Sequence, residues 1–240
     1  MSHKEKIWIF GDSYGDTTCI KDKNSFSWVG ELTNYYNVTN FCVRGSGANC
    51  TIANFNKQVD TYKNSLKDIN LIFIIPSIYR LNFSFYKKEE DQVLTKFIVY
   101  NDRTSNDKVN KKIKFYTKKY REFVNNFFKY YVYHNYRSDT LLKIIGNVSL
   151  YSPLFSSVLC FVVDPAGLST NINKLVNKDD FHFVDTCLSD ISDAEIVGQV
   201  EIGEDGRNNH LNEHNNKVMY QQISKWLSHR ILIDTSQFNG

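Results

Sequence analysis

Three apolar runs, each about as long as one strand, most constrain what this chain can fold into. They are Lys6–Phe10 (KIWIF), Ile69–Ile75 (INLIFII) and Ser157–Val163 (SVLCFVV). A strand with one face in water alternates apolar and polar residues, whereas a strand covered on both faces is apolar almost throughout. We therefore expect these runs to be buried strands of a parallel sheet with helices on both sides.

The segments between these runs have helical and strand patterns in alternation. Ser27–Tyr36 has the apolar spacing of an amphipathic helix, with Ser25 or Ser27 as its cap. Val38–Val43 is typical of a second strand. A further helix face is predicted by the spacing i, i+3, i+7 and i+10 of Ile52, Phe55, Val59 and Tyr62.

The second half of the chain continues this pattern after an interruption. Residues 82–107 are read as an added strand pair or an extended flap, and Lys108 to about Ile145 is helical in composition. Phe181–Cys187 is a short strand candidate. A closing helix is predicted over Asn215–Ile231, with Val218, Ile223, Trp226 and Leu227 facing inward.

The alternation of strands and helices predicts an α/β fold, a three-layer α/β/α sandwich with a mainly parallel sheet and right-handed crossovers. The 240 residues are expected to form one domain, residues 1–240, with a helical insertion at about 80–137. No apolar run approaches the about 18 residues of a membrane-spanning helix. The N-terminus lacks the pattern of a secretory signal.

Cysteines and charge narrow the function classes. The five cysteines have no C-x-x-C or Cys/His spacing, so we expect reduced thiols and no zinc site. Asp179, Asp180 and His182 lack a third ligand for a metal, and a solvated loop is the favoured interpretation. The net charge of +3 does not by itself indicate a nucleic-acid partner.

The charges are unevenly distributed along the chain. Residues 87–137 contain 13 Lys and Arg against 6 Asp and Glu, whereas residues 177–213 contain 10 acidic against 2 basic residues. The basic segment is also rich in aromatic residues and is a candidate for polyanion binding or base stacking. A helical arm that covers the core, with its lysines in water, is the favoured alternative.

Ser13 is the first candidate for chemistry, because Gly11-Asp12-Ser13 follows the first strand directly. A serine at such a turn lies at the carboxyl edge of the sheet, where open α/β folds bind ligands. His210 lies in a polar loop just before the closing helix and is placed to serve as its base. Each residue alone would be interpreted as a turn serine or a surface histidine. Their occurrence together favours a catalytic role.

At this point the sequence resembles the SGNH (GDSL-type) hydrolase family, whose fold is the three-layer, flavodoxin-like sandwich. IFGDSYGD is similar to the family's first block, which makes Ser13 the nucleophile by resemblance. VRGSGAN is similar to the second block, whose glycine N–H helps to form the oxyanion hole. Gly47 is the first choice there, Gly45 the alternative, and Asn49 a further binding candidate. NNHLNEHN is similar to the last block and makes His210 the base.

Two departures from the family pattern matter. The third block, IIPSIYR, lacks the usual asparagine of the oxyanion hole, and Ser77 or Arg80 is the candidate replacement. This version resembles the third block of divergent SGNH-like proteins encoded by bacteriophages. The family's aspartate normally lies three residues before the histidine, where this chain has Arg207. Asp205 either orients His210 or the site works as a Ser–His dyad.

Two rival assignments fit the sequence less well. Gly11–Gly15 also fits the G-x-S-x-G elbow of α/β-hydrolases, but that elbow follows several earlier strands and closes directly into a helix. Only about ten residues precede it here, and a loop follows it. His214 is a rival base, ranked second because it falls four residues later, inside the predicted helix.

The sequence therefore predicts an SGNH-type serine esterase that acts on acyl esters, such as O-acetyl groups, of a carbohydrate or small molecule. No cofactor and no metal is expected, nor a membrane or nucleic-acid partner, and the expected location is cytoplasmic or virion-associated. The alternative is a catalytically decayed SGNH-fold protein that binds a ligand or belongs to a virion, with polyanion binding through the basic segment.

Overall fold

A parallel sheet forms the centre of the protein in the computed structural model, which describes residues 4–17, 26–43, 46–76, 80–87, 92–99, 137–163, 180–192 and 211–238. Within these ranges the sheet has five strands: β1 (Lys6–Phe10), β2 (Asn37–Asn40), β3 (Ile69–Ile75), β6 (Ser157–Val162) and β7 (Phe181–Cys187). Their order in the sheet is β2-β1-β3-β6-β7, and all are parallel.

Helices cover both faces of this sheet, so the fold is the predicted three-layer α/β sandwich. Helices α2 (Ala48–Tyr62) and α3 (Arg137–Tyr151) pack on one face. Helices α1 (Trp28–Tyr35) and α4 (Glu213–His229) pack on the other. The chain runs in one direction along the sheet from β1 to β2 and in the opposite direction from β2 to β3. Crossovers of one hand then place α1 and α2 on opposite faces.

The sheet is apolar because both of its faces are buried. Every residue of β3 and β6 is buried, as the continuous apolar runs predict. In β1, Trp8 and Phe10 face α2 and α3, whereas Ile7 and Ile9 face α1 and α4. The alternation of side chains along a strand thus supplies apolar groups to two separate cores.

Aromatic rings fill the core under α2. The Phe10 ring stacks on Phe41 at a centroid distance of 4.6 Å and meets the ring of Phe55 edge to face at 5.3 Å. Phe73 lies 6.1 Å from Phe10 and 5.3 Å from Phe55. Offset and edge-to-face contacts of this kind are the favoured geometries of aromatic pairs. These ring contacts pack β1, β3 and α2 against one another.

Most of the predicted elements are confirmed, with differences at their ends. Ser27 caps α1 by accepting a hydrogen bond from Gly30 N at 3.3 Å. The strand predicted over Val38–Val43 ends at Asn40, whose side-chain oxygen accepts the Cys42 N–H at 2.9 Å. Tyr62, predicted on the buried face of α2, is 47% exposed because it is the last residue of that helix.

The insertion differs from its description as helical. Strands β4 (Arg80–Lys87) and β5 (Gln92–Val99) form a separate antiparallel hairpin, which agrees with the strand-pair interpretation of this region. The alternation of polar and apolar residues in β4 suits a strand better than a helix. Helix α3 begins at Arg137, and residues 100–136, including most of the basic segment, lie outside the described ranges.

We expect Leu71→Ala in β3 to lower the free energy of unfolding by about 2–5 kcal/mol, because it leaves a cavity between buried neighbours. The Leu71 side chain is fully buried, whereas Leu150 on α3 is 74% exposed. The matched variant Leu150→Ala should therefore change stability by less than about 0.5 kcal/mol. Urea denaturation of both variants measures the difference, and equal losses would contradict the assigned burial.

Candidate active site

The candidate site lies where the strand order of the sheet reverses. From β1 the chain leaves towards β2 through α1, and from β3 it continues towards β6 on the side of α2 and α3. Connections that leave neighbouring strands for opposite faces open a crevice at their carboxyl ends, where open α/β sheets bind ligands. Ser13 follows the end of β1 and so lies at this crevice.

A tight turn presents Ser13 at the end of β1. Gly15 N donates a hydrogen bond to Asp12 O at 3.2 Å, and Tyr14 N donates to Asp12 Oδ1 at 3.2 Å. A Cβ atom at Gly11 would lie 2.7 Å from Ile74 Cβ on β3. Only glycine permits so close an approach of the turn to β3.

The turn is sheltered from solvent. Asp12 is fully buried, and Ser13 and Tyr14 are each 6% exposed. The indole Nε1 of Trp28 donates to Tyr14 O at 3.0 Å, and Asn40 Nδ2 donates to Gly15 O at 2.7 Å. The backbone of the turn is therefore held by side chains from α1 and β2.

Cys42 packs against the same turn, and its environment keeps the thiol protonated. Burial raises the pKa of Cys42 well above its usual range, and the nearby carboxylates of Asp12 and Asp16 raise that pKa further. A thiol is a strong nucleophile only as the thiolate. Ser13 is therefore a better candidate nucleophile at this turn than Cys42.

The second glycine turn leads into α2. Gly47 is the N-cap residue of α2 and is buried, and Asn49 is exposed in the first turn of the helix. Val43 N donates to Gly11 O at 3.1 Å, which joins this connection to the Ser13 turn. A helix N-terminus carries partial positive charge, so the position of Gly47 at the start of α2 favours a nearby negative charge. Gly45 lies outside the described residues.

Several predicted site residues are not described. Ser77, Asp205 and His210 lie outside the described residues. Arg80 begins β4, and its side chain is likewise outside the description. These assignments stay predictions.

The rival histidine is exposed on a helix. His214 is the second residue of α4 and points into solvent, in agreement with its predicted helical position. Asn212, two residues after His210, caps α4 by accepting a hydrogen bond from Asn215 N at 2.7 Å. The described chain resumes at Leu211, so the start of α4 follows the predicted base directly.

Three further residues, Tyr14, Trp28 and Asn216, link the Ser13 turn to the start of α4 and were not among the predicted site residues. Trp28 Nε1 contacts the turn, and Trp28 N donates to Asn216 Oδ1 at 3.4 Å. No local pattern signals these bonds, because the partners are far apart in sequence. Tyr14, an aromatic residue in the otherwise polar run from Gly11 to Asp16, was the one available sign.

Comparison with known proteins adds no family assignment: neither a protein-family model nor a curated protein matches this sequence. Among the described residues, no group of three or more His, Cys, Asp and Glu side chains is arranged to hold a metal ion. The same ranges contain no helix with the length and apolar character needed to cross a membrane.

We expect Gly15→Ala to destabilise the protein, because the new Cβ would lie 2.4 Å from Cys42 Sγ. Overpacking of this kind typically costs about 1–3 kcal/mol of unfolding free energy. The double variant Gly15→Ala/Cys42→Ala removes the clashing sulfur and should recover most of that loss. Thermal unfolding compares the variants, and a double variant no more stable than Gly15→Ala would refute the contact.

Proposed function

We propose that this protein is an SGNH-type serine hydrolase that cleaves acyl esters, such as O-acetyl esters of a carbohydrate or small molecule. Ser13 is the nucleophile and His210 the general base. The observation that carries the proposal is the position of the Ser13 turn, at the carboxyl end of β1 and beside the reversal of strand order between β1 and β3. The resemblance of four sequence blocks supplies the chemistry.

The proposed reaction has two steps that share one intermediate. Ser13 Oγ attacks the ester carbonyl while His210 accepts the hydroxyl proton, and the resulting tetrahedral oxyanion collapses to an acyl-serine. The alcohol leaves with the proton from His210. Water then attacks the acyl-serine and gives a proton to His210. His210 returns this proton to Ser13 Oγ as the second tetrahedral intermediate collapses and the acid is released.

The oxyanion is stabilised by backbone donors in this scheme. The N–H groups of Ser13 and Gly47 are the proposed pair, and the N-cap position of Gly47 supports its part, since this region carries partial positive charge. Ser77 or Arg80 takes the place of the family's asparagine. Asp205 orients His210, or the pair works as a dyad.

The burial of Ser13 favours a small acyl group. Only 6% of the surface of Ser13 is exposed, and so small an exposed area suits an acetyl group better than a long acyl chain. A sheltered site also strengthens the hydrogen bonds that hold the oxyanion. The low exposure of Ser13 is therefore the argument for short-chain acyl esters as substrates.

We expect a fluorophosphonate probe to label the wild-type protein at Ser13, and short-chain aryl esters to be hydrolysed. Ser13→Ala should lose both reactions, since the nucleophile is absent. Ser156→Ala, which removes an exposed hydroxyl at the opposite edge of the sheet, is the matched control and should keep both. Peptide mapping by mass spectrometry identifies the labelled residue.

A folded wild-type protein with no Ser13-dependent labelling and no esterase activity would overturn the proposed hydrolase. The alternative of an SGNH-fold binding protein would then take its place.

The two histidines near α4 should behave differently. His210→Gln is expected to lower kcat by about 10²–10⁴-fold, since general-base catalysis is lost. His214→Gln should leave kcat within about twofold, because His214 is exposed on the second position of α4. Steady-state hydrolysis of one aryl ester measures both variants, and a loss confined to His214→Gln would reassign the base.

A further inference from the structure

The side chain of Tyr14, next to the candidate nucleophile, is hydrogen-bonded to a residue far from it in sequence, Ser192. Its hydroxyl lies 2.8 Å from Ser192 Oγ, and both residues are buried. Ser192 Oγ donates its proton to Leu188 O at 2.5 Å. A serine hydroxyl has one proton to donate, so Tyr14 must be the donor to Ser192. The direction of this bond is therefore fixed: Tyr14 to Ser192 to Leu188.

A second connection leaves the same turn through its backbone. Trp28 Nε1 donates to Tyr14 O at 3.0 Å, and Trp28 N donates to Asn216 Oδ1 at 3.4 Å. Asn216 Nδ2 in turn donates to Leu211 O at 2.8 Å and to Asn212 O at 3.0 Å. Leu211 is bonded covalently to His210, so this connection ends beside the proposed base.

A hydrogen bond links the ends of these two connections. Asn215, which is fully buried, donates from Nδ2 to Ile191 O at 2.6 Å. Ile191 and Ser192 close the described segment 180–192, and Leu211 opens the next one. The segments on either side of residues 193–210 are thus linked to each other by the bond between Asn215 and Ile191. The first segment is bonded to Tyr14 directly and the second through Trp28.

From these contacts we propose that Tyr14 is a positioning residue, whose hydroxyl holds Ser192 and, through the neighbouring Ile191, the start of α4 relative to the turn that carries Ser13. The inference rests on the proposed hydrolase function and deepens it. Tyr14 does not touch the reacting atoms in this account; it acts through Ser192 and through the ends that flank the base. Small errors in the distance between nucleophile and base reduce the rate strongly, so a buried network that sets this distance has a catalytic effect.

The test removes single hydroxyl groups from the network. Tyr14→Phe keeps the buried ring and loses only the donor, and Ser192→Ala loses the acceptor. Each should lower kcat for an aryl ester by about tenfold and leave KM within about twofold, since substrate binding is not touched. The double variant should be no slower than the slower single variant, because both changes break the same bond.

Tyr151→Phe is the matched control, since Tyr151 packs on Phe55 in the core on the opposite face of the sheet. It should retain wild-type kcat. All variants are assayed well below their unfolding temperatures, so that a loss of stability alone does not lower kcat. Hydrogen exchange should also be faster in peptides that contain Ser192 and Leu211 in Tyr14→Phe, and not in Tyr151→Phe.

The outcomes separate the two proposals. If Tyr14→Phe and Ser192→Ala both kept wild-type activity, the positioning role would be overturned and the proposed hydrolase function would stand. The positioning role would also be overturned if the loss in kcat of the double variant equalled the product of the two single losses, because the two groups would then act independently. A wild-type protein without Ser13-dependent labelling would overturn the hydrolase and, with it, this inference.

Discussion

The close approach of the β1 turn to β3 is the constraint on which the site depends. Gly11 lies so near Ile74 that a single added carbon atom would collide with it. This approach occurs between the two strands from which the chain leaves in opposite directions along the sheet. The strand order of the sheet therefore accounts for both the crevice at the carboxyl ends and the tight turn that carries Ser13. In this order the chain adds strands outwards from β1 and from β3, with helices on both faces.

Much of this architecture could be predicted from the sequence, because a strand buried on both faces must be apolar throughout. INLIFII became β3 with the predicted bounds, and FHFVDTC became β7 with its predicted bounds. Element ends were less predictable. The end of β2 depends on one Asn40 side chain that takes the Cys42 amide, a competition between side chain and backbone that periodicity does not describe.

The site was predictable only in its local part. A strand followed by Gly-Asp-Ser indicates a turn at a sheet edge, and the structure has that turn. The burial of Ser13 was not predictable, since the local sequence does not report which distant residues lie beside the turn. Trp28, which donates to Tyr14 O, is one such residue. The bond between Tyr14 and Ser192 joins residues 178 positions apart, and no single-sequence pattern reports such a pair. Cys42 is similar: its protonated state follows from burial and two carboxylates that only the fold assembles.

The most direct test of the account replaces the hydroxyl of Ser13 by a thiol that reports on its neighbour. In the variant Ser13→Cys, a histidine within reach would lower the pKa of the new thiol by forming a thiolate–imidazolium pair. We predict that iodoacetamide alkylates position 13 rapidly at pH 6, as measured by peptide-resolved mass spectrometry. The alkylation rate should fall by at least about tenfold in Ser13→Cys/His210→Ala. Equal alkylation rates in the two variants would show that His210 does not act on Ser13 and would contradict the account.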